Sequence, residues 1–246
     1  MEKMGTGRFH CITGFIISIG MISTSFWLYA LGFFLQVPDY LCTFDDGKFD
    51  SCTQQQICEE DSIIVNWEID WTSERSFNNW VEKFDLTCAP DWKIALPGVM
   101  FFVGLTLTTV WLPPLSDIYG RKSLFIVAMG TGLLFHFGMY ITSHWSVIIT
   151  MTFLLGLITS LRIQVGYNYL IEFFPKSRQV FAGTCWCIMD ALVFMITTLY
   201  FWKVDRDWSN YFFFVFGANI IGLIGTFFLP ESPLILHNLG KEDEAI

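Results

Sequence analysis

Charged residues are scarce in this chain. Of its 246 residues, only 15% are Asp, Glu, Lys or Arg, whereas soluble domains contain about 25%. Hydrophobic residues make up 53% of the chain and aromatic residues 18%, with 26 Phe and 10 Trp. This much apolar surface cannot be buried in one water-soluble core of this size. The composition excludes a disordered chain and an ordinary cytosolic enzyme, and it indicates a protein that crosses a membrane several times.

Several signatures of enzymes and of nucleic-acid binding are missing. The sequence has no His-Glu-x-x-His motif, no Gly-x-Ser-x-Gly motif and no phosphate-binding Gly loop. A basic face is absent as well, because the net charge is −9, which does not suit binding to nucleic acid. These absences predict a protein that is not an enzyme and that binds no cofactor, metal ion or nucleic acid.

The acidic residues are concentrated in one stretch, residues 38–93. This stretch holds thirteen Asp and Glu against four Lys and Arg, so its net charge of −9 equals that of the entire chain. The remaining chain is balanced in charge and mostly uncharged. We therefore interpret residues 38–93 as an acidic, water-exposed loop inserted between the first two membrane helices.

Six apolar runs have about the 20 residues that are needed to cross a bilayer. Because a backbone in lipid must satisfy its own hydrogen bonds, each run predicts a helix. The predicted helices span residues 9–35, 94–115, 123–142, 146–172, 179–202 and 211–229. The first run is too long for the apolar core of a signal peptide, so we interpret it as an uncleaved signal anchor. The whole chain, residues 1–246, is thus predicted to form one all-α membrane domain.

Lys and Arg residues in short loops predict the orientation of the chain. Most of them fall on one predicted side: Lys3, Arg8, Arg121, Lys122, Lys176, Arg178 and Lys241. The short loops of the other side carry only Lys203 and Arg206. The acidic loop contributes little, because long loops cross the membrane regardless of their charge. Both termini are predicted to face the cytoplasm or its topological equivalent, and the acidic loop is predicted to face the opposite side.

Four of the seven cysteines lie in the acidic loop: Cys42, Cys52, Cys58 and Cys88. An even number of cysteines in a non-cytoplasmic loop predicts two disulfides, with three possible connectivities. The alternative is a zinc site, which the absence of close Cys-x-x-Cys spacing and of any His in the loop disfavours. The other cysteines lie in predicted helices and are interpreted as small apolar residues: Cys11, Cys185 and Cys187.

Two charged residues fall near the middle of predicted helices. Arg162 lies ten positions before Glu172, and Asp190 lies about ten positions after the start of the fifth helix. Both are predicted to lie roughly 15 Å from the same membrane face. A charge at this depth costs at least about 2.5–3.5 kcal/mol, so it needs a partner or a water-filled cavity. Two interpretations stay open, a site for a small organic ion or proton, and a structural pair with each other or with a partner subunit.

Polar residues accompany Arg162 along the fourth predicted helix: Gln164, Tyr167 and Asn168. Their spacing places them on neighbouring helix faces, where they can line a cavity or tie helices together. His136, in the third predicted helix, is interpreted as hydrogen-bonded packing rather than as a proton relay.

Three short charged motifs end predicted helices on the same side of the membrane. They are residues 115–122 (Leu-Ser-Asp-Ile-Tyr-Gly-Arg-Lys), residues 172–178, and the Pro-Glu-Ser-Pro sequence of residues 230–233. One such motif is typical of a helix stop or a positive-inside signal. Three on one face predict a charge network that holds two groups of helices together in one state and releases them in another. The candidate gate residues are Asp117, Gly120, Arg121, Lys122, Glu172, Arg178 and Glu231.

The order and spacing of these motifs resemble the first half of a major facilitator superfamily transporter, specifically of the organic cation/anion transporter family. Residues 115–122 resemble the superfamily's loop between helices two and three, residues 172–178 the stretch after helix four, and residues 230–233 the end of helix six. A long Cys-bearing loop between helices one and two is a feature of this family, and residues 84–93 resemble its closing segment. The resemblance extends from about residue 30 to the C terminus.

This resemblance implies one half of a two-half transporter, with six helices arranged as a 3+3 inverted repeat. The implied function is transport of a small organic ion by alternating access, which requires a second six-helix half from the same or another chain. The resemblance implies the plasma membrane, while organelle membranes, the mitochondrial inner membrane among them, stay open. The alternative is a non-transporting half that serves as a structural or accessory subunit of a larger membrane complex.

Three positions depart from the family's pattern. Pro113 stands where the family usually has Gly, and Ile118 and Leu234 stand where it usually has basic residues. Each departure removes a small-residue contact or a charge partner from the predicted gate. Together with the absence of an Asn-x-Ser/Thr glycosylation site and of a second half, these departures favour the accessory role.

Overall fold

The computed structural model describes residues 7–59, 64–111 and 114–238 of the chain. It contains ten helices in this part of the chain: α1 Arg8–Phe34, α2 Gln54–Cys58, α3 Trp80–Lys83, α4 Asp91–Thr108, α5 Leu115–Tyr119, α6 Arg121–Ile141, α7 Trp145–Glu172, α8 Lys176–Lys203, α9 Trp208–Phe227 and α10 Pro233–Asn238. Three strands lie between α1 and α3: β1 Tyr40–Phe44, β2 Phe49–Cys52 and β3 Ile64–Ile69. The predictions at Lys3, Pro113 and Lys241 lie outside the described residues.

Five of the described helices are long and apolar enough to cross a membrane: α1, α6, α7, α8 and α9. The shorter α4 has 18 residues and begins with two charged side chains, Asp91 and Lys93. It ends at Thr108, seven residues before the predicted end. The chain turns after Thr108, and Pro114 then has no backbone N–H with which to continue a helix.

The long helices pack in two groups around a central pair. Helix α1 packs against α8 and α9, whereas α7 packs against α4 and α6. The two central helices, α1 and α7, also contact each other, as do α6 and α9. The largest group of buried apolar side chains is rich in aromatic rings, among them Trp27, Phe34, Phe101 and Phe212. Each of the central helices is therefore covered on several sides by its neighbours.

The approach of α4 to α7 depends on two glycines. A Cβ atom on Gly156 would collide with the Phe101 carbonyl oxygen of α4, and a Cβ on Gly104 would collide with the Phe153 carbonyl oxygen of α7. Nearby, the Thr108 hydroxyl donates to the Leu157 carbonyl oxygen across the same contact, at 2.9 Å. Small residues at such a contact let two backbones approach, and close van der Waals packing is what drives helix association in lipid.

The acidic loop is folded around a three-stranded antiparallel sheet with the order β2-β1-β3. One disulfide, Cys42–Cys52, joins β1 to β2, and the other, Cys58–Cys88, joins the end of α2 to the segment before α4. The prediction of disulfides is thus confirmed, and the fold selects one of the three connectivities. The other three cysteines are free: Cys11, Cys185 and Cys187.

The acidic loop is fastened to one end of the helix bundle. Asn79 donates through Nδ2 to the carbonyl oxygens of Phe33 and Gln36, at the end of α1. The Lys83 ammonium lies 4.4 Å from the centroid of the Trp208 ring at the start of α9, a cation–π contact, and burial lowers the pKa of Lys83. We name this end of the bundle the loop end, and the opposite end, where α6 and α8 begin and α7 and α9 finish, the charged end.

Candidate functional site

Arg121 is the centre of a group of charges at the charged end. Its Nε and Nη2 atoms donate to the two carboxylate oxygens of Glu172, at 2.7 and 2.6 Å. Both side chains are nearly buried, with 8% and 12% of their surface exposed. Nη2 also lies 3.1 Å from Asp117 Oδ1, and Nη1 donates to Ser116 Oγ at 3.0 Å. This forked geometry uses the planar guanidinium of Arg fully and joins α5 and α6 to the end of α7.

Glu231 caps the first turn of α6 from a distant part of the chain. Its Oε1 atom accepts hydrogen bonds from the backbone N–H groups of Arg121 and Lys122, at 3.0 and 2.9 Å. Gly120, just before α6, has φ +87°, and a Cβ atom on it would lie 2.6 Å from Glu231 Oε2. Glycine is therefore required here for both its conformation and its small size. A carboxylate at this position also interacts favourably with the positive end of the helix dipole.

Lys122 makes the complementary contact at the end of α9. Its ammonium donates to the Phe227 carbonyl oxygen at 2.9 Å and to that of Leu229, where unpaired helix carbonyls favour a cation. The hydroxyl of Ser232 donates to Glu172, which brings the third motif into the group. We name Asp117, Arg121, Lys122, Glu172 and Glu231 the charged-end cluster.

Arg178 does not join the charged-end cluster. Its side chain is exposed, and within the ranges that the structure covers it makes no ion pair. Ile118, at a position where the resemblance suggested a basic residue, has 77% of its surface exposed. The fold thus brings together six of the seven candidate gate residues, counting Gly120, and leaves Arg178 outside.

Removing the Glu231 carboxylate is expected to weaken the contact between α6 and α9. Glu231→Ala should lower the free energy of unfolding by about 1–2 kcal/mol, as loss of a helix cap does. Glu231→Gln keeps a hydrogen-bond acceptor and should lose only the charge–dipole part, about 0.3–1 kcal/mol. Unfolding of the purified protein in mixed detergent micelles measures both, with Glu68→Ala on the exposed face of β3 as the control. An equal loss in Glu68→Ala would contradict the capping role.

Arg162 lies in the core of the bundle rather than in an open cavity. Its side chain is fully buried and hydrogen-bonds to four neutral groups: Gly20 O at 2.8 Å, Thr24 Oγ1 at 2.6 Å, Asn219 Oδ1 at 3.1 Å, and Ser23 Oγ. These bonds tie α7 to α1 and α9. Among the described residues, no carboxylate forms an ion pair with Arg162. The pair with Asp190, one of the two interpretations of these charges, is therefore not formed in this structure.

Asp190 lies at the midpoint of α8 and has a different partner. Its Oδ2 atom accepts a hydrogen bond from the Tyr29 hydroxyl of α1, at 2.6 Å. Helix α8 begins at Lys176, three residues before the predicted start. Asp190 is therefore about 21 Å from the start of its helix. Helix α8 begins earlier than predicted because its first turn is built from the polar and charged residues that precede the apolar run.

Three predicted polar residues meet at one pocket beside α8. Gln164, Tyr167 and Asn168 of α7 line a cavity of about 330 Å³ together with Ile163 and Trp186. The Tyr167 and Trp186 rings are in contact, with centroids 5.6 Å apart. We name this cavity the α7–α8 pocket.

Aromatic rings flank Asp190 along α8. Trp186, Asp190 and Phe194 are spaced four residues apart and so lie on one face of the helix. Phe194 packs edge-on against the Tyr29 ring, at a centroid distance of 5.5 Å. A half-buried carboxylate and the faces of aromatic rings are groups that attract an organic cation. We name Tyr29, Trp186, Asp190 and Phe194 the aromatic–carboxylate face.

Sequence reasoning missed the partners of both intramembrane charges. Tyr29, Ser23, Thr24 and Asn219 are single polar side chains within apolar helices, where a helix-packing role is equally typical. The one signal that can be read from the sequence is Asn219, an amide within a long apolar run, which needs a polar partner in lipid.

Comparisons with known proteins support a transporter origin. The family model described as Major Facilitator Superfamily matches residues 89–245, more than half of the chain. The chain is 27% identical to Organic cation/carnitine transporter 2 of Homo sapiens over 76% of its own length and 33% of that protein. It is 28% identical to the Mus musculus protein of the same name over the same shares. It is 24% identical to an Organic cation transporter-like protein of Drosophila melanogaster over 98% of the chain and 47% of that protein. The chain spans about a third of the length of its mammalian relatives.

Proposed function

Because this chain belongs to the Major Facilitator Superfamily, we propose that it forms one six-helix half of a membrane transporter for small organic cations. The half consists of α1, α4, α6, α7, α8 and α9. Helix α4, with 18 residues, is about 27 Å long and lies within the range of membrane-spanning helices. In this arrangement the membrane part is all-α, and the acidic Cys-containing loop between the first two membrane helices departs from the predicted all-α fold because it contains the three-stranded sheet.

The helix pairing supports a 3+3 inverted repeat. The first helix of each triplet, α1 or α7, packs against the second and third helices of the other triplet. A pseudo-two-fold axis in the membrane plane that relates the two triplets produces this pattern of contacts. A repeat of this kind provides one wall of a substrate path, so alternating access requires a second half, from another chain, from a second copy or from further sequence.

The orientation follows from the distribution of charge. The charged end carries most Lys and Arg residues of the short loops and faces the cytoplasm, with both termini on that side. The disulfide-bonded acidic loop faces the outside of the cell, where disulfides persist. The plasma membrane is the proposed location. The negative charge of the loop raises the local concentration of cations at the entrance of the path.

The observation that carries the cation assignment is the aromatic–carboxylate face. Asp190 is half-buried at mid-membrane and has one neutral partner, the Tyr29 hydroxyl. A charge at this depth is retained where it meets water, a partner or a ligand. The neighbouring α7–α8 pocket offers further polar groups to a ligand. The names of the relatives, which refer to organic cation transport, support the same substrate class.

Neutralising Asp190 is expected to weaken cation binding. Purified chain should gain thermal stability on addition of a tetraalkylammonium ion, and Asp190→Asn should weaken that binding about ten-fold or more, because the attraction to the carboxylate is lost. The Asn side chain still accepts the Tyr29 hydrogen bond, so the variant tests charge rather than packing. Tyr29→Phe is the matched control: it keeps the charge and the ring and should bind within a few-fold of the parent protein.

The alternative role, an accessory subunit of a larger membrane complex, has one structural observation in its favour. The ion pairs of the charged-end cluster close within this chain, from α6 to α5 and to the end of α7, so they are satisfied without a second half. The transport proposal would be overturned if tetraalkylammonium ions stabilised neither the parent protein nor Asp190→Asn. Co-purification of other membrane subunits at fixed stoichiometry would then favour the accessory role.

A further inference from the structure

Unpaired N–H groups surround the buried guanidinium of Arg162. Asn219, Trp27 and His136 are fully buried beside it. Asn219 Nδ2 and Trp27 Nε1 have no hydrogen-bond partner in the described part of the chain, whereas the His136 ring can donate its N–H to the Gly132 carbonyl oxygen one turn earlier on α6. We name Arg162, Asn219, Trp27 and His136 the buried donor cluster. Buried polar groups are rarely left unpaired, because each costs free energy comparable to a lost hydrogen bond.

The members of the buried donor cluster converge from four helices. Thr24 of α1, which contacts Arg162 Nη1 at 2.6 Å, lies one turn before Trp27. The Trp27 and His136 rings have centroids 6.0 Å apart. Gly132 lies one turn before His136 on α6, and a Cβ atom built on it would be 3.3 Å from Arg162 Nη1 and 3.9 Å from Asn219 Nδ2. Residues of α1, α6, α7 and α9 thus meet in one region of the core.

The balance of hydrogen-bonding groups in this region favours an acceptor. The amide of Asn219 has two unpaired hydrogens and the indole of Trp27 has one, while the acceptors close to them include the second nitrogen of the neutral imidazole and Asn219 Oδ1. A water molecule brings two hydrogens of its own, which the imidazole nitrogen and Asn219 Oδ1 can accept, but it carries no charge. An anion brings none, and it also balances the charge of Arg162, which has only neutral protein partners. The uncompensated charge of Arg162, together with the unpaired N–H groups of Asn219 and Trp27, therefore points to an anion rather than to water.

The packing limits the size of this anion. The same Cβ position on Gly132 would lie 3.4 Å from Ile158 Cδ1, so apolar side chains close the region tightly. We propose that the buried donor cluster binds a monatomic anion of the size of chloride, held between Arg162, Asn219, Trp27 and His136. This site lies in the core between α1, α6, α7 and α9 and is separate from Asp190, so it is independent of the proposed transport of cations.

The test is halide-dependent thermal unfolding of the purified 246-residue chain. Its Tm is measured in sodium gluconate and in increasing sodium chloride at constant ionic strength, and then in sodium bromide. Chloride should raise Tm along a saturating curve, by roughly 5–10 °C at a hundred times its Kd. Bromide should substitute for chloride, because the proposed contacts require only a spherical monovalent anion.

The decisive variant is Asn219→Asp. It replaces the unpaired Asn219 amide nitrogen by a carboxylate oxygen and keeps the shape of the side chain. The other side-chain oxygen, Oδ1, already lies 3.1 Å from the Arg162 guanidinium. The protein then contains its own counter-anion, so Tm in gluconate should equal or exceed that of the parent protein and the chloride response should vanish. The control is Asn66→Asp on the exposed part of β3, which makes the same chemical change and should keep the full chloride response.

Three outcomes would overturn the proposal. The first is a parent protein whose Tm is the same in chloride and gluconate. The second is an unchanged chloride response in Asn219→Asp, which would place the effect elsewhere on the protein. The third is a loss of the response in Asn66→Asp as well, which would identify it as a general effect of added negative charge.

Discussion

Arg121→Ala is expected to lower the free energy of unfolding by about 3–5 kcal/mol, the largest loss at the charged end. The substitution leaves Glu172, which has only 12% of its side chain exposed, as a nearly buried carboxylate without its cation. It also removes the hydrogen bond to Ser116 and the contact with Asp117. Unfolding by SDS in mixed micelles, followed by circular dichroism, measures the loss.

Two further variants separate the contributions to this effect. Arg121→Lys restores the charge but cannot donate to both Glu172 oxygens in a fork, so it should recover only part of the stability. Arg75→Ala removes an exposed Arg that lies 4.0 Å from Asp39, with 71% of its side chain exposed, and should change stability by less than about 1 kcal/mol. If Arg121→Ala were as mild as Arg75→Ala, the charged-end cluster would not hold α6 to α7.

Gly156→Val is expected to separate α4 from α7. The new side chain would run into the Phe101 carbonyl oxygen and the backbone of Leu105, atoms that cannot move aside without shifting α4. Gly156→Ala should cost about 1–3 kcal/mol, as overpacking of a core does, and Gly156→Val should cost more. A larger separation would also break the bond from Thr108 to the Leu157 carbonyl oxygen. Cysteine pairs placed across the two helices would report the separation through their cross-linking rate.

Gly130→Ala is the matched control for this substitution. Gly130 also lies within a membrane helix, α6, but a Cβ atom on it would meet nothing within 4 Å. Alanine is favoured over glycine in a helix interior by roughly 0.5–1 kcal/mol, so this variant should be as stable as the parent protein or slightly more stable. Equal losses at positions 130 and 156 would indicate a general intolerance of α6 and α7 to substitution rather than a close helix contact.

The membrane class, the family and the disulfides followed from the sequence by itself. Apolar runs of about 20 residues can cross a bilayer only as helices, because lipid offers no hydrogen bonds to the backbone. The motif order around residues 115–122, 172–178 and 230–233 led to the superfamily that the family model then matched. These inferences depend on local composition and spacing, which are visible in a linear sequence.

Helix ends were predicted less well than helix centres. Helix α4 stops at Thr108, seven residues before the end of its apolar run. Helix α8 starts at Lys176, three residues before its apolar run begins. A hydropathy pattern indicates which residues lie in the bilayer, not where a helix begins or ends. A helix can continue beyond the bilayer where its backbone hydrogen bonds are satisfied, and it can end within the bilayer where the chain turns.

The partners of the charges were decided only by the tertiary structure. Arg162 and Asp190 have opposite charges and were predicted at similar depths, which made a pair plausible, yet they bond to neutral groups on other helices. The direction of a side chain depends on how its helix is rotated and packed against its neighbours. That rotation is set by contacts such as those of Gly104 with Gly156, between residues far apart in the chain. The sequence contains the residues of both sites, but their distances arise only when the helices pack.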